Sequence, residues 1–156
     1  MERPIDQLLR AISGTANINL HLLDIENLAG TGKLSTSTVK RIQMEYLIRT
    51  ECSPNDLYLI AAGPQNKMAL FHGWHQGTTL YQFRKGKDGA DFALVNLFSQ
   101  IEHPEQFSRL FLASGDGELS AIASRAKDAG LSVTVVTGIG RKSRRLMDYK
   151  HLKLAI

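Results

Sequence analysis

The sequence predicts a single α/β domain in which a mostly parallel sheet is covered by helices on both faces. Apolar runs of strand length alternate with helical patterns along almost the whole chain, which is typical of a doubly wound sheet with right-handed crossovers. The length of 156 residues fits one domain. Hydrophobic residues make up 43% and charged residues 22% of the chain, an ordinary globular composition that excludes wholesale disorder.

The first half of the chain contains an amphipathic N-terminal segment, three strands and two helices. Apolar residues with helical spacing at 5–12 indicate that residues 1–17 form an extension, which caps the core or meets a partner, ahead of a domain at 18–156. The elements predicted next are a strand at 18–23, a helix that starts at Ser35, Thr36 or Ser37 and stops before Pro54, a strand at 56–62, a helix at 67–74 and a strand at 78–83. The long helix carries six apolar residues: Val39, Ile42, Met44, Tyr46, Leu47 and Ile48.

The second half continues the alternation of helix and strand. After a turn at 86–89, a buried helix is predicted at 91–101, with Phe92, Val95, Leu97, Phe98 and Ile101 as its apolar residues. The remaining predicted elements are a strand at 107–113, a helix at 117–129 that ends at Gly130, a β-branched strand at 131–137, a short helix near 143–147 and an edge strand at 149–154.

Charge and cysteine content narrow the functional classes. The formal net charge of +4 and the pI near 9.3 favour a polyanionic partner, although a solvated basic surface gives the same totals. The single cysteine, Cys52, cannot form an internal disulfide and is interpreted as a buried apolar residue. Because no basic segment followed by a long apolar run opens the chain, we expect a cytoplasmic protein that does not enter a membrane.

Acidic residues follow two of the predicted strands. Asp24 comes directly after the first strand, and Asp116 and Glu118 follow the fourth, which is the rim where ligands gather in open α/β sheets. Strands one and four are neighbours in many doubly wound sheets, so we expect these carboxylates to meet and to hold a divalent metal. Helix or loop capping by Asp24, Ser114 or Asp116 is an alternative that the residues leave open.

A third acidic cluster precedes the predicted helix at 91–101. Asp88 and Asp91 are three residues apart, so both can face one way across its first turn, although capping of the helix by Asp88 is also open. Asp91 is the stronger functional candidate, because its apolar neighbours would hold its backbone firmly. Asn96 is a candidate to support the site indirectly.

Taken in order, these motifs resemble the NYN family of the PIN-like nuclease superfamily from about residue 18 to residue 154. LLDIEN is similar to the first-strand D-x-E-N motif of that family, KDGADFALVNLF to its central K-x-x-D-x-x-L region, and LASGDGELSAIASRAKDAGLSVTVV to its S-G-D-x-D segment. The last match is the most specific, since it combines a strand, a Ser-Gly-Asp turn, an apolar helix and a glycine before a β-branched strand.

The resemblance implies a PIN-like fold and a ribonuclease that depends on Mg²⁺ or Mn²⁺, the cations that hard oxygen ligands select. It implies that Asp24, Asp91 and Asp116 are both catalytic and metal-binding, that Asn27, the amide of the first motif, is also catalytic, and that Ser114 is the serine of the third. Glu118 stands where many relatives have Asp, and is predicted as a further ligand. Asn96 stands where a further acid can occur. Both departures are expected to weaken a second metal site and so to lower catalytic power.

The basic residues needed for a polyanionic substrate fall into two groups. Arg84, Lys85 and Lys87 precede Asp88, and Arg141, Lys142, Arg144 and Arg145 follow the fifth strand. Either these groups contact phosphate, or they form a charged face that is exposed to solvent. The predicted substrate-binding residues are Ser114, Asp88, Arg84, Lys87, Arg141, Lys142 and Arg144. Trp74, Tyr81 and Phe83 are candidates for stacking on unpaired bases, with a core position favoured for Phe83.

The expected activity is hydrolysis of RNA phosphodiester bonds by an endoribonuclease, through a metal-activated water held by the clustered aspartates. Two rivals stay open. One is a non-catalytic RNA-binding or adaptor module of the same fold, and the other is an enzyme acting on a small phosphorylated substrate. A homo-oligomer or a protein partner could be contacted through the N-terminal segment or the tail strand.

Three further patterns are set aside. The GTGK run at 30–33 has the wrong spacing for a phosphate-binding loop, with Asn27 where a glycine is required and Leu34 where a hydroxyl is required. His72 and His75 have no acidic or cysteine partner at zinc spacing. Cys52 has no base beside it that would make it a nucleophile.

Overall fold

One six-stranded sheet organises the chain, and all of its strands are parallel. This architecture is seen in a computed structural model that describes residues 2–12, 17–53, 55–75 and 78–156. The α-helices are α1 (Pro4–Ile12), α2 (Ile25–Ala29), α3 (Thr36–Thr50), α4 (Lys67–Gly73), α5 (Gly89–Ser99) and α6 (Ser120–Asp128). The strands are β1 (Leu20–Asp24), β2 (Leu57–Ala62), β3 (Thr78–Phe83), β4 (Arg109–Ala113), β5 (Ser132–Thr137) and β6 (Lys150–Lys153). Short 3₁₀ helices lie at Pro64–Asn66, Pro104–Gln106, Gly117–Leu119 and Arg144–Leu146.

The strand order is β3-β2-β1-β4-β5-β6, so the direction of winding reverses between β1 and β4. Leu20 of β1 lies opposite Leu57 of β2 on one side and Leu110 of β4 on the other. Because the strands are parallel, the loops after β1 and β4 leave the sheet side by side at its carboxyl edge. The predicted adjacency of strands one and four is therefore confirmed, and so is the doubly wound α/β class.

Hydrophobic cores cover both faces of the sheet. Leu20 and Leu22 of β1 belong to the core beneath α1, α5 and α6, whereas Leu23 belongs to the core beneath α2, α3 and α4. Every residue of β1 and β2 is buried, which is why both strands are apolar runs without alternation. β6 forms one edge of the sheet, as the sequence predicts.

A buried polar network lies inside the second core. The ring of His21 stacks between those of Tyr58 and Phe111, with centroids 4.3 and 4.9 Å away. His21 Nε2 is 2.9 Å from Asp56 Oδ2, and Nδ1 is 2.7 Å from Tyr46 Oη. Burial lowers the pKa of His21, so the imidazole is neutral, donates from Nε2 to Asp56 and accepts at Nδ1 from the Tyr46 hydroxyl.

Several helical details differ from the sequence predictions. The short helix α2 occupies a stretch that the sequence suggested was loop, because Asp24 caps it and Gly30 ends it in the left-handed region. On α3, Met44 and Ile48 are exposed, since they lie opposite the face that buries Ile42 and Tyr46.

The prediction that Phe92 and Val95 are buried is wrong. Phe92 is 56% and Val95 43% exposed, because α5 faces the core with Ala93, Leu94, Leu97 and Phe98, and Phe92 and Val95 lie on the opposite face of the helix. The helix is apolar on more of its circumference than the core can cover.

The N-terminal segment forms α1 as predicted, and Ile5 and Ile12 are buried in the first core. Residues 13–16 of the predicted extension, and Pro54 after the predicted helix, lie outside the described residues. In the described part of the chain, no helix has the length and apolar character needed to cross a bilayer.

The His21 network generates a stability prediction. Tyr46→Phe removes the hydroxyl that donates to His21 and leaves a buried acceptor without a partner, which should cost about 1–3 kcal/mol of unfolding free energy. Met44→Ala, on the exposed face of the same helix, should change that free energy by less than about 0.5 kcal/mol. Urea unfolding measures both. Equal stability of Tyr46→Phe and the parent would contradict the assigned network.

Candidate functional site

A polar cleft of about 390 Å³ opens at the carboxyl edge of the sheet, where the winding direction reverses. Residues from four separate segments form its walls: Asp24, Glu26, Asn27, Gly30, Thr31, Gly32, Gly86, Lys87, Ala90, Asp91, Asp116, Gly140 and Arg141. We call this the acidic cleft. The fold therefore brings the three predicted metal-binding aspartates to one place, although 92 positions of sequence separate Asp24 from Asp116.

Asp24 is the last residue of β1 and is only 6% exposed. Its Oδ1 accepts a hydrogen bond of 3.1 Å from the backbone N–H of Asn27, so the capping role and the rim position coexist. Burial, together with the nearby carboxylates of Glu26 and Asp116, raises the pKa of Asp24 to about 6 despite the hydrogen bond from Asn27. The folded chain therefore disfavours a charge on Asp24 unless a cation compensates for it.

Asp91 lies in the first turn of α5 and is also 6% exposed. Its Oδ1 is buried and has no hydrogen-bond partner in the described part of the chain. Burial, the adjacent carboxyl of Asp116 and the charges of Asp24 and Asp88 together raise the pKa of Asp91 to about 8. A buried carboxylate oxygen without a partner is uncommon, because it carries a desolvation cost that nothing on the protein offsets.

Asp116 begins the 3₁₀ helix at Gly117–Leu119. Its Oδ1 accepts from the N–H of Glu118 at 2.9 Å, and its own N–H donates to Ser114 Oγ at 3.1 Å. The capping alternative that the sequence left open is thus observed here as well. The capping bonds fix the orientation of the carboxyl group, which also lines the acidic cleft.

The three aspartates share the cleft without closing on a single point. In the described ranges, the only group of three metal-ligating side chains whose ligand atoms all lie within 4.8 Å of one another is His21, Cys52 and Asp56. Oxygens bound directly to one Mg²⁺ lie at most about 4.2 Å apart, given Mg–O distances near 2.1 Å. The observed positions of the three aspartates therefore suit an ion that keeps several of its waters. They suit less well an ion that all three carboxylates coordinate directly.

The His21, Cys52 and Asp56 group belongs to the buried network of the second core. His21 and Asp56 are joined by a hydrogen bond, and Asp56 also accepts from the backbone and side chain of Asn19. Burial raises the pKa of Cys52 to about 11, so its thiol is protonated and is neither a nucleophile nor an available ligand. These polar groups already satisfy one another.

The side chain of Asn27 joins two loops across the site. Its Oδ1 accepts from Gly115 N at 2.9 Å and its Nδ2 donates to Arg141 O at 3.2 Å, while its backbone carbonyl accepts from Gly140 N at 2.9 Å. A Cβ on Gly115 would lie 1.9 Å from Arg141 O, and one on Gly140 would lie 2.0 Å from Asn27 O. Asn27 therefore positions the walls of the cleft, and its amide is occupied by protein groups.

Glu26 is a fourth acidic residue of the cleft, which the sequence analysis named only within a motif. Its Oε2 accepts from Gly63 N at 2.9 Å and forms a short hydrogen bond with Asn66 Nδ2. Asn66 in turn donates to Gly32 O at 3.1 Å. Glu26 thereby attaches the end of β2 to the loop at 30–32, a role that depends on Asn66, which no sequence pattern singles out.

A second, basic cleft of about 470 Å³ adjoins the first and shares Asn27, Asp116 and Arg141 with it. The remaining residues of this basic cleft are Gly115, Gly117, Glu118, Lys142, Ser143, Arg144 and Arg145. The Glu118 side chain is 70% exposed and lies 3.9 Å from Arg145 Nη1. The fold thus places Glu118 beside the basic residues rather than on the wall of the acidic cleft.

Other predicted site residues separate into two groups. Lys87 lines the acidic cleft, and Arg141, Lys142 and Arg144 line the basic cleft. Ser114 is fully buried, and its Oγ accepts a hydrogen bond from the backbone N–H of Asp116.

Asp88, Arg84 and Asn96 are exposed and outside both clefts. The Arg84 guanidinium lies 4.9 Å above the ring of Phe92, and Asp88 makes no capping hydrogen bond to α5. Trp74 is 3% exposed and packs against Tyr46 and Tyr58, so the suggestion that it stacks on bases is wrong.

Comparisons of the chain with protein-family models, with curated proteins and with solved structures gave no match. The fold and the two clefts therefore carry the functional interpretation.

The raised pKa values predict how stability depends on pH without metal. A carboxyl whose folded-state pKa is raised stabilises the fold fully below its unfolded pKa near 4, and that contribution is lost as the pH rises through the folded value, about 6 for Asp24 and about 8 for Asp91. With chelator present, the unfolding free energy should fall by at least about 1 kcal/mol between about pH 5 and about pH 9.

In Asp91→Asn this fall should be clearly smaller, whereas Asp128→Asn, at the exposed end of α6, should keep it. Urea unfolding at several pH values measures the effect. A parent protein whose stability is constant or rises over that range would show that the carboxyl groups are not destabilised as described.

Proposed function

We propose that the protein is a metal-dependent endoribonuclease of the PIN-like kind, related to the NYN family. The observation that carries the proposal is the placement of Asp24, Asp91 and Asp116 around one cleft, with Asp91 Oδ1 buried and without a partner among the described residues. The confirmed strand order supports it, since ligands of open α/β sheets bind where the winding reverses.

The side chains of the acidic cleft suit Mg²⁺ or Mn²⁺. All candidate ligands are hard oxygens, and a divalent cation would offset the burial and the mutual repulsion that raise the pKa values of Asp24 and Asp91. Asp24, Asp91 and Asp116 would hold it, in part through its waters. A bound cation would polarise the scissile phosphate and lower the pKa of an attacking water.

The residues of the chain provide binding and orientation. Arg141 lies on both clefts, so it can contact a phosphate next to the aspartates, and Lys142 and Arg144 extend the positive surface away from them. Asn27 holds the Arg141 loop and the Asp116 loop at a fixed separation. An RNA chain lying across both clefts would thus present one phosphodiester to the carboxylates.

The first test is cleavage of single-stranded RNA in Mg²⁺ or Mn²⁺. Asp24→Asn, Asp91→Asn and Asp116→Asn should each lower kcat by at least about a hundredfold, because each removes a group that stabilises charge in the transition state. Glu118→Gln tests the ligand predicted from sequence, and its position in the basic cleft leads us to expect a change below about tenfold.

Asp128→Asn is the matched control for the loss of one carboxylate and should leave the rate unchanged. Cleavage that persists in excess chelator, or that survives Asp116→Asn at the parent rate, would overturn the proposed mechanism.

A non-catalytic RNA-binding module is the second candidate. It is favoured by the spread of the three carboxylates, whose oxygens do not all approach within 4.8 Å, and by the exposed positions of Asn96 and Glu118. Such a protein would bind RNA equally well with and without metal. It would show no turnover even when protein exceeds substrate.

Both candidates predict a salt-dependent affinity for RNA. Lys142→Ala and Arg144→Ala should each weaken binding and reduce the slope of log K against log salt concentration by about one. Lys127→Ala, an exposed basic residue on α6 outside both clefts, is the control and should leave the slope unchanged. Titration of labelled RNA at several salt concentrations measures this. Equal slopes for all three variants would exclude the basic cleft as the RNA surface.

A further inference from the structure

An aromatic cluster on the edge strand β3 adjoins the acidic cleft. Tyr81 and Phe83 lie two residues apart on one face of the strand, and their rings are parallel with centroids 6.1 Å apart. Phe71 of α4 meets both rings edge-on, at 5.3 and 5.8 Å. Phe71 is 45% exposed and the other two side chains are half-buried, so the cluster presents aromatic surface to solvent.

Positive charge accompanies these rings. Lys67 Nζ lies 5.4 Å from the centroid of the Phe83 ring, and Lys67 is one helical turn before Phe71 on α4. Lys85 follows Phe83 by two residues and is exposed. Aromatic rings interleaved with cations are the combination that binds single-stranded nucleic acid, since bases stack on the rings and phosphates pair with the cations.

The cluster is continuous with the acidic cleft on two sides. On one side, Gln65 Nε2 donates to Gly32 O at 3.1 Å, so the residues immediately before Lys67 contact the cleft wall. On the other side, Gly86 and Lys87 line the cleft only three and four residues after Phe83. An RNA strand bound to the cluster would therefore lie beside the cleft that contains the aspartates.

We propose that Phe71, Tyr81 and Phe83, together with Lys67, form a stacking site for unpaired bases of an RNA strand whose phosphate lies in the acidic cleft. The inference rests on the proposed function and specifies its substrate as single-stranded RNA. Paired bases cannot reach the rings, because stacking on Phe71 requires a base to leave its helix.

The test is the affinity of the protein for an oligouridylate of about twelve nucleotides and for an RNA duplex of the same length, in an Asp116→Asn background with Mg²⁺ present, so that the RNA stays intact. Phe71→Ala should weaken binding of the single strand by about tenfold and binding of the duplex by less than about twofold. Phe71→Tyr, which keeps a ring, should bind the single strand within about twofold of the parent.

Met68→Ala is the matched control, since Met68 is an exposed apolar residue of the same helix without an aromatic ring, and it should leave both affinities unchanged. Lys67→Ala should weaken the single-strand complex and reduce its salt slope by about one. Unchanged single-strand affinity in Phe71→Ala, or an equal loss for strand and duplex, would overturn the inference.

The two proposals fail separately. Single-strand binding that depends on Phe71, in a protein that cleaves no RNA, would support the stacking site and refute the ribonuclease. Cleavage that depends on Asp116 but has a KM unaffected by Phe71→Ala would support the ribonuclease and refute the stacking site. A protein that binds no single strand in the Asp116→Asn background would overturn the stacking site whatever its cleavage.

Discussion

The hydrogen bonds of Asn27 are the constraint on which the arrangement of both clefts depends. One amide side chain binds the loop after β4 through Gly115 and the loop after β5 through Arg141, while the backbone of the same residue accepts from Gly140. These loops carry Asp116 and the basic residues. Glycine at 115 and 140 is required because the approaching carbonyl groups leave no room for a Cβ. The corner after β1 thereby fixes the position of two distant segments relative to Asp24.

Electrostatics and packing are opposed in this cleft. The sheet and α5 bury Asp24 and Asp91 to 6% exposure, and the same burial raises both pKa values by withholding water from the charged form. Hydrogen bonds from Asn27 and Glu118 reach Asp24 and Asp116, but Asp91 Oδ1 receives none from the described residues.

The His21 network shows the contrasting case. There, burial acts to raise the pKa of Asp56, but hydrogen bonds from His21 and Asn19 outweigh it and hold that pKa below its usual value. The carboxylate of Asp56 thus has hydrogen-bond partners, whereas Asp91 Oδ1 has none among the described residues. Of these two aspartates, only Asp91 faces a cleft.

The fold and the meeting of the three aspartates could be predicted from the sequence, because apolar runs and their order determine which strand ends are neighbours. Asp24 and Asp116 follow strands that winding rules place side by side. The orientation of individual side chains could not be predicted in this way. Glu118 follows Asp116 by two residues, yet the 3₁₀ turn directs it toward Arg145, and Phe92 is apolar but lies on the outer face of α5. Glu26, Asn66 and the occupied amide of Asn27 depend on contacts across 32 or more positions of sequence, which no local pattern reveals.

The all-parallel order of the sheet also determines when the cleft can exist. Parallel neighbours such as β1 and β4 are joined only after long intervening segments have been made, and pairings of this kind form slowly. Asp24 is synthesised early, but its counterpart Asp116 and the Arg141 loop belong to the last third of the chain. During translation, therefore, a growing polypeptide would contain the part of the cleft around Asp24 without the part around Asp116 until the later strands dock. A domain lacking β4 and β5 would not contain the assembled cleft, because Asp24 would be present without Asp116 or the Arg141 loop.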